Sequence, residues 1–217
     1  MRFYVPPNLQ QDFKDALASK LGTEFVINFD TTATMRAIVK EIDYRAKADE
    51  SIRNEKPMYA SIDNTLDLGD YLQDANFVYI ITQMQIMRFP ECYKVYAHIC
   101  NNKLTVTTFQ QATYDGNGNP TSPGGDVPIV EDYYCSTNLG MFQFTSTSTG
   151  VGIVPTNEVS VSMQYNDKTK AIDIDNNFDW FGKKYQIISV DHSQIDSNGK
   201  GILSFTGKKL VSDATQN

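Results

Sequence analysis

The chain has 217 residues, 41% of them hydrophobic and 21% charged, the balance of a soluble globular protein with one large or two small domains. Its formal net charge of −7, from 19 basic and 26 acidic residues, disfavours general adsorption to nucleic acid or an anionic membrane. No apolar run reaches the ~18 residues of a membrane span, and the opening MRFYVPPNLQQDF lacks the apolar core of a signal peptide. Cys92, Cys100 and Cys135 are odd in number and widely spaced, which argues against a disulfide scaffold.

In chain order, Leu9–Leu21 reads as a short amphipathic helix, with Leu9, Phe13, Ala16, Leu17 and Leu21 near helical spacing and Gly22 placed to end it. TEFVINFD alternates Phe25, Ile27 and Phe29 as a strand does. Met35–Tyr44 fits either element, and the charged RAKADESIRNEK reads as an exposed arm or loop. PMYASI is strand-like and runs into an Asp63–Asn64 turn signal. LDLGDYL, NFVYIITQMQIM, CYKVYAHIC and KLTVTTF continue the β pattern, with a turn at Asn101–Asn102.

The centre, YDGNGNPTSPGGDVP, is dense in turn residues and reads as a module boundary or long loop without persistent strand or helix. LGMFQFTSTSTGVGIVP reads as a hairpin. One or both of the segments 114–128 and 145–154 are expected to be disordered alone and ordered by a neighbouring subunit. Farther on, Asp196–Gly199 supplies a tight turn between strands at Tyr185–Val190 and Ile202–Phe205, and the tail SDATQN reads as frayed.

A faint repeat runs through this pattern at a fixed offset of 106 residues: Leu66 falls on Ile172, Asp67 on Asp173, Leu68 on Ile174, Leu72 on Phe178, Tyr79 on Tyr185 and Ile81 on Ile187. The same spacing places Met84 on Val190, Tyr96 on Ile202, Ile99 on Phe205, Lys103 on Lys209 and Leu104 on Leu210. The fold expected is all-β, mainly β with a short N-terminal helix, in two tandem small SH3-like or OB-like barrels of roughly five strands each. The corresponding division is an N-terminal helix and arm (1–33), a first barrel (34–112), a Gly/Pro-rich linker or loop (113–129) and a second barrel with its Ser/Thr-rich hairpin (130–217).

Chemistry is sparse. There is no Gly-x-Ser-x-Gly elbow, Gly-rich phosphate loop or His-Glu-x-x-His pair, so no catalytic residue is assigned. His98 and His192 do not coincide in the repeat and read as ordinary strand or turn residues. Cys92, His98 and Cys100 have the wrong spacing for a zinc knuckle, and a calcium loop counted from Asp173 would place Phe178 and Lys184 where Gly and Glu are required. No metal and no cofactor are therefore expected. Asp67 and Asp173 read as turn carboxylates. Trp180, in FDWFGKKY, reads as a buried barrel-end residue or a protein-binding anchor. Trp180 and Phe181, with Lys183 and Lys184 beside them, are the interaction candidates; Lys168, Lys170, Lys208 and Lys209 add to a locally basic second module.

Gly69–Asp70, Tyr79–Ile80–Ile81 and Cys100–Asn101 with Leu104, followed by Phe181–Gly182, Tyr185, Ile187, Asn198–Gly199, Ile202 and Leu203, resemble the pattern of tailed-bacteriophage neck proteins of the head-completion (head-closure, stopper) group, over about Thr34 to Leu210. The resemblance implies a non-enzymatic structural protein of the virion neck, made in the host cytoplasm. It implies a homo-oligomeric ring between portal or adaptor and tail proteins that closes the head after packaging and docks the tail. The neighbour that orders segment 114–128 or 145–154 would then be another subunit, the portal or the tail ring. DNA would be held or passed without sequence-specific binding, and no membrane is involved. A tail-tube, tail-terminator or baseplate protein is the alternative, and a secreted carbohydrate-binding β-module a second one, suggested by 12 Tyr, 12 Phe and the Thr-rich stretch.

Overall fold

Strands dominate the chain because apolar side chains recur at every second residue, so each segment has one face to bury. The computed structural model describes residues 8–40, 55–88, 90–122, 124–139, 143–147, 150–154 and 157–210, with backbone alone from 139 to 156. Two units result. The first runs to Asn101 and takes in Asp196–Ile202; the second runs from Asn102 to Ile195 and resumes at Leu203.

In the first unit, β1 (Gly22–Ile27), β2 (Asp30–Val39), β3 (Glu55–Ser61), β4 (Tyr71–Gln73), β5 (Val78–Arg88) and β6 (Glu91–Ile99) form a closed barrel in the order β1-β2-β3-β6-β5-β4. Its core collects the inward residues Phe25, Met35, Ala37, Met58, Leu72, Tyr79, Ile81, Val95 and Ala97, all buried. Burying Phe25 completely contributes about 2–3 kcal/mol. Asn28 and Phe29 join β1 to β2 with φ of 50° and 62°, a two-residue turn that follows strand twist.

Helix α1 (Leu9–Ala18) buries Leu17 and leaves Leu21 69% exposed. It stops three residues before the end expected from periodicity, because the Ser19 hydroxyl donates to Ala16 O at 2.7 Å and accepts from Leu21 N at 3.1 Å, turning the chain. At the other end, Gln10 donates to Glu91 O at 3.0 Å and accepts from Glu91 N at 2.7 Å, tying the helix to the start of β6.

The second barrel is formed, all in the second unit but for Gly201 and Ile202, by β7 (Asn102–Gln110), β10 (Gly125–Leu139), β13 (Glu158–Tyr165), β14 (Asn177–Trp180), β15 (Lys183–Ile195) and β16 (Gly201–Lys209), which close in the order β10-β13-β16-β15-β14-β7. That is the first barrel's connectivity strand for strand, so two closed six-stranded antiparallel barrels follow in tandem. Leu104, Val106, Cys135, Val161, Met163, Phe178, Ile187, Leu203 and Phe205 lie in the second core. Phe178 stacks on Tyr185 with ring centroids 5.4 Å apart.

Backbone hydrogen bonds establish the repeat. Gly69 N donates to Ile81 O at 2.9 Å and Ile81 N to Asp70 O at 3.0 Å; Asp175 N donates to Ile187 O at 3.0 Å and Ile187 N to Asn176 O at 2.8 Å. Leu72 faces Tyr79 across β4–β5 as Phe178 faces Tyr185 across β14–β15. Past this point the fixed offset fails. Cys100 N donates to Val78 O at 2.7 Å, whereas Leu210 N donates to Lys184 O at 2.9 Å, so the returning strand is displaced by four residues. Val95 and Ala97 therefore correspond to Phe205 and Gly207, all four buried. The pairings of Tyr96 with Ile202, Ile99 with Phe205, Lys103 with Lys209 and Leu104 with Leu210 are not structural equivalences. The physical reason is a longer β15–β16 hairpin, and Lys103 and Leu104 lie on β7.

The boundaries also differ from composition. Residues 22–33 lie on or between barrel strands, and the change of unit falls at Asn101–Asn102. The Gly/Pro-rich 113–129 is a hairpin excursion within the second barrel. It carries β8 (Thr113–Tyr114) and β9 (Pro120–Ser122) and leads into β10. The Asp115 carboxylate accepts from Asn117 N at 2.9 Å and Asn119 N at 2.8 Å, which closes that turn. The Ser/Thr-rich stretch forms the hairpin β11 (Gln143–Thr147) and β12 (Gly150–Val154), with Gln143 opposite Val154. Met35–Val39 is strand; of the charged arm read over 45–56, Glu55 and Lys56 open β3, while residues 45–54 and the tail 212–217 lie outside the described residues. Among the described residues no helix is long and apolar enough to cross a membrane.

Candidate interaction sites

The turn between β14 and β15 gathers the residues singled out from sequence. Trp180 pairs with Lys183, and Asp179 with Lys184, leaving Phe181 and Gly182 as the two central residues. Both have positive φ, 48° and 67°, the geometry that Asn-Gly ordinarily supplies. A phenylalanine there costs roughly 1–2 kcal/mol relative to a residue suited to the left-handed region. Its ring nevertheless stands 78% exposed, edge-on to Trp180 at 4.7 Å. Trp180 itself is half-buried and meets Tyr185 at 5.7 Å, and it packs on the second core.

Lys183 and Lys184 diverge. The Lys184 ammonium donates to the Asp126 carboxylate, while Lys183 is exposed and makes no ion pair among the described residues. Lys170 is paired with Asp167 at 2.7 Å, so the basic character inferred for this module is partly neutralised.

The matching turn of the first barrel also carries an exposed phenylalanine. The Asp74 carboxylate accepts from Asn76 N and Phe77 N at 2.7 Å each, and Phe77 is 50% exposed. Sequence reading missed Phe77, Phe109 and Tyr114; the only available signal was a single aromatic beside turn residues.

A second feature lies under α1. A cleft of about 350 Å³ has Leu17 and Met35 as its floor and Glu24, Thr34, Arg36 and Asp63 on its rim. The Arg36 guanidinium is spent on Ser19 O and Gly22 O, at 2.7 Å each. Asp63 faces Lys14 at 3.6 Å, and Glu24 makes no ion pair among the described residues.

The cysteines and histidines are dispersed. Cys92 and Cys135 are buried; burial pushes the Cys92 thiol up and the Cys135 thiol up to about 12. His98 sits on β6 opposite Glu55, with its pKa lowered by burial. His192 is exposed, edge-on to Tyr165 at 6.0 Å. Among the described residues no three His, Cys, Asp or Glu side chains are placed to hold a metal. The turn carboxylate of the first barrel is Asp70, which accepts from Asp67 N at 2.8 Å; Asn176 does the same for Asp173 N at 2.8 Å. Asp67 instead pairs with Lys200.

Fold and surface thus define a tandem β-barrel protein whose distinctive exposed side chains are aromatics on turns. Residues 126–208 match the model of the YomX C-terminal domain, a phage-associated family. The match runs from the second residue of β10 to the penultimate residue of β16, taking in five of the second barrel's six strands. It covers less than half of the chain and is consistent with a phage protein. No curated protein matches the chain.

Proposed function

We propose that this chain is a structural protein of the phage virion that forms a ring in the neck, closes the head after packaging and docks the tail, without catalysis. The observation that carries a phage structural role is the duplicated barrel whose second copy is similar to a phage-associated domain. Closing each sheet into a barrel leaves fewer unpaired strand edges than two open sheets would, which suits a building block that must contact only chosen neighbours. Exposed aromatics on turns suit protein–protein contact. A net charge of −7 lets packaged DNA pass without a large release of counterions.

Electron microscopy of virions carrying a labelled copy tests the placement. Label at the head–tail junction, and heads that leak DNA or fail to join tails when the protein is removed, are the expected results. Label confined to the tube or distal tip would assign the chain to the tail, and infectious particles lacking the protein would overturn the reading.

A further inference from the structure

We infer that the Phe181 turn of one chain seats in the cleft beneath α1 of a second copy, giving a head-to-tail contact from second barrel to first barrel. The inference rests on the ring reading and specifies how its subunits meet. Two features of the turn call for a partner. Phe181 occupies a left-handed position that Asn or Gly would fill at lower cost, and its ring is 78% exposed. Strain of this kind persists where a function retains it. Trp180 holds the ring edge-on at 4.7 Å, so the aromatic tip is preformed and its ordering cost on binding is small.

The cleft supplies the complement. Its floor is apolar but narrow, because Leu17 and Met35 are themselves nearly buried, and its rim is polar, so it would cover one edge of an aromatic ring and leave the rest at the interface rim. At about 350 Å³ it is a shallow cleft at the small end of binding pockets, open to solvent on the side from which a ring would approach. Charge matches as well. Lys183 follows the tip and Glu24 lies on the rim, and neither has an ion pair among the described residues. A docked tip would bring an ammonium against a carboxylate beside the partly covered ring. Because turn and cleft are different surfaces, the contact is heterologous, the kind that closes into rings when the rotation permits.

The test uses the full chain. Phe181→p-benzoylphenylalanine is photo-activated in a mixture of isotopically light and heavy copies, and cross-linked peptides are read by mass. Light-to-heavy links from position 181 to peptides containing Leu17 or Met35 are expected. Sedimentation velocity then compares Phe181→Gly, Lys183→Glu, Glu24→Lys and the double charge reversal. Phe181→Gly should weaken self-association about thirtyfold, the loss of one hot-spot anchor. It should leave the melting temperature unchanged or raised, since glycine suits the turn. Each single reversal should weaken association and the double should recover most of it. Unchanged association of Phe181→Gly overturns the contact. So do links to other surfaces, or wild-type chain that remains monomeric to its solubility limit. Virion labelling decides the neck reading separately, and a ring joined through another surface would leave that reading intact.

Discussion

Asn28 and Asp70 are locked together in the first barrel: Asn28 Nδ2 donates to Asp70 Oδ1 at 2.7 Å, while Asn28 Oδ1 accepts from Tyr71 N at 2.9 Å. Asp70 Oδ2 accepts from Asp67 N, so one amide and one carboxylate tie the β1–β2 turn to the loop entering β4. The corresponding residue of the second barrel is Asn176, which keeps the bond to the backbone three residues earlier without a charge.

Exchanging the two side chains should preserve all three hydrogen bonds. In Asn28→Asp with Asp70→Asn, the carboxylate still accepts from Tyr71 N and from the new amide, and that amide's oxygen still accepts from Asp67 N. Asp70→Asn alone sets donor against donor, and Asn28→Asp alone sets carboxylate against carboxylate. Each single change should cost about 2 kcal/mol and the pair less than about 1, a coupling of more than about 3 kcal/mol by urea unfolding. Additive losses would mean that the bonds do not act as a unit.

Acidity should act on the same residue. Burial is the main cause that raises the Asp70 pKa; bonds from Asn28 and Asp67 N oppose it, Asp67 adds to it and Lys200 lowers it. A carboxyl raised in the folded state binds its proton more tightly there than in the unfolded chain. Its favourable contribution is complete below the ordinary Asp range and disappears as pH rises through the folded value. Measured against Asp70→Asn, the wild type should therefore lose stability as pH rises through and above the ordinary Asp range. A difference independent of pH would contradict the direction of this shift.

Gly69 and Asp175 occupy the same repeat position, with φ of 87° and 70°, but differ in surroundings. A Cβ on Gly69 would lie 2.0 Å from the Gly201 carbonyl oxygen. Asp175→Gly should be neutral within about 1 kcal/mol, because glycine accepts that φ. Gly69→Asp should cost more than about 3 kcal/mol, since backbone must move as well. Equal effects in thermal melts would show that Gly69 answers only to its dihedral.

Thiol chemistry should follow burial. In the native chain near pH 8, Cys100, which is half-buried, should react first with a disulfide reagent. Cys135, buried, with its thiol pushed up to about 12 and its Sγ donating to Asn102 O at 3.6 Å, should react only on unfolding. Three equal native rates would refute this ordering.

Strand content and the tandem repeat are legible from residues alone, because alternation of Phe25, Met35 and Ala37, or the run Val78–Ile81, records burial within a few residues of chain. The shared Leu72–Tyr79 and Phe178–Tyr185 pairs were likewise visible as spacing. Two tandem barrels were expected as well, and the structure has them; which strands close each barrel was not legible. Closure depends on β4 meeting β1 and β14 meeting β7, contacts between distant segments that no local pattern encodes. Composition misplaced the boundary because Gly, Pro and Asn report that a chain turns, not what the turn connects; the Asp115 turn joins β8 to β9, a hairpin that stands between β7 and β10 of one barrel. Trp180 and Phe181 were visible as aromatics, but only tertiary structure separates the half-buried indole from the phenyl ring that a left-handed turn holds in solvent. The cleft beneath α1 is still less local, since its floor joins a helix residue and a strand residue brought together by packing.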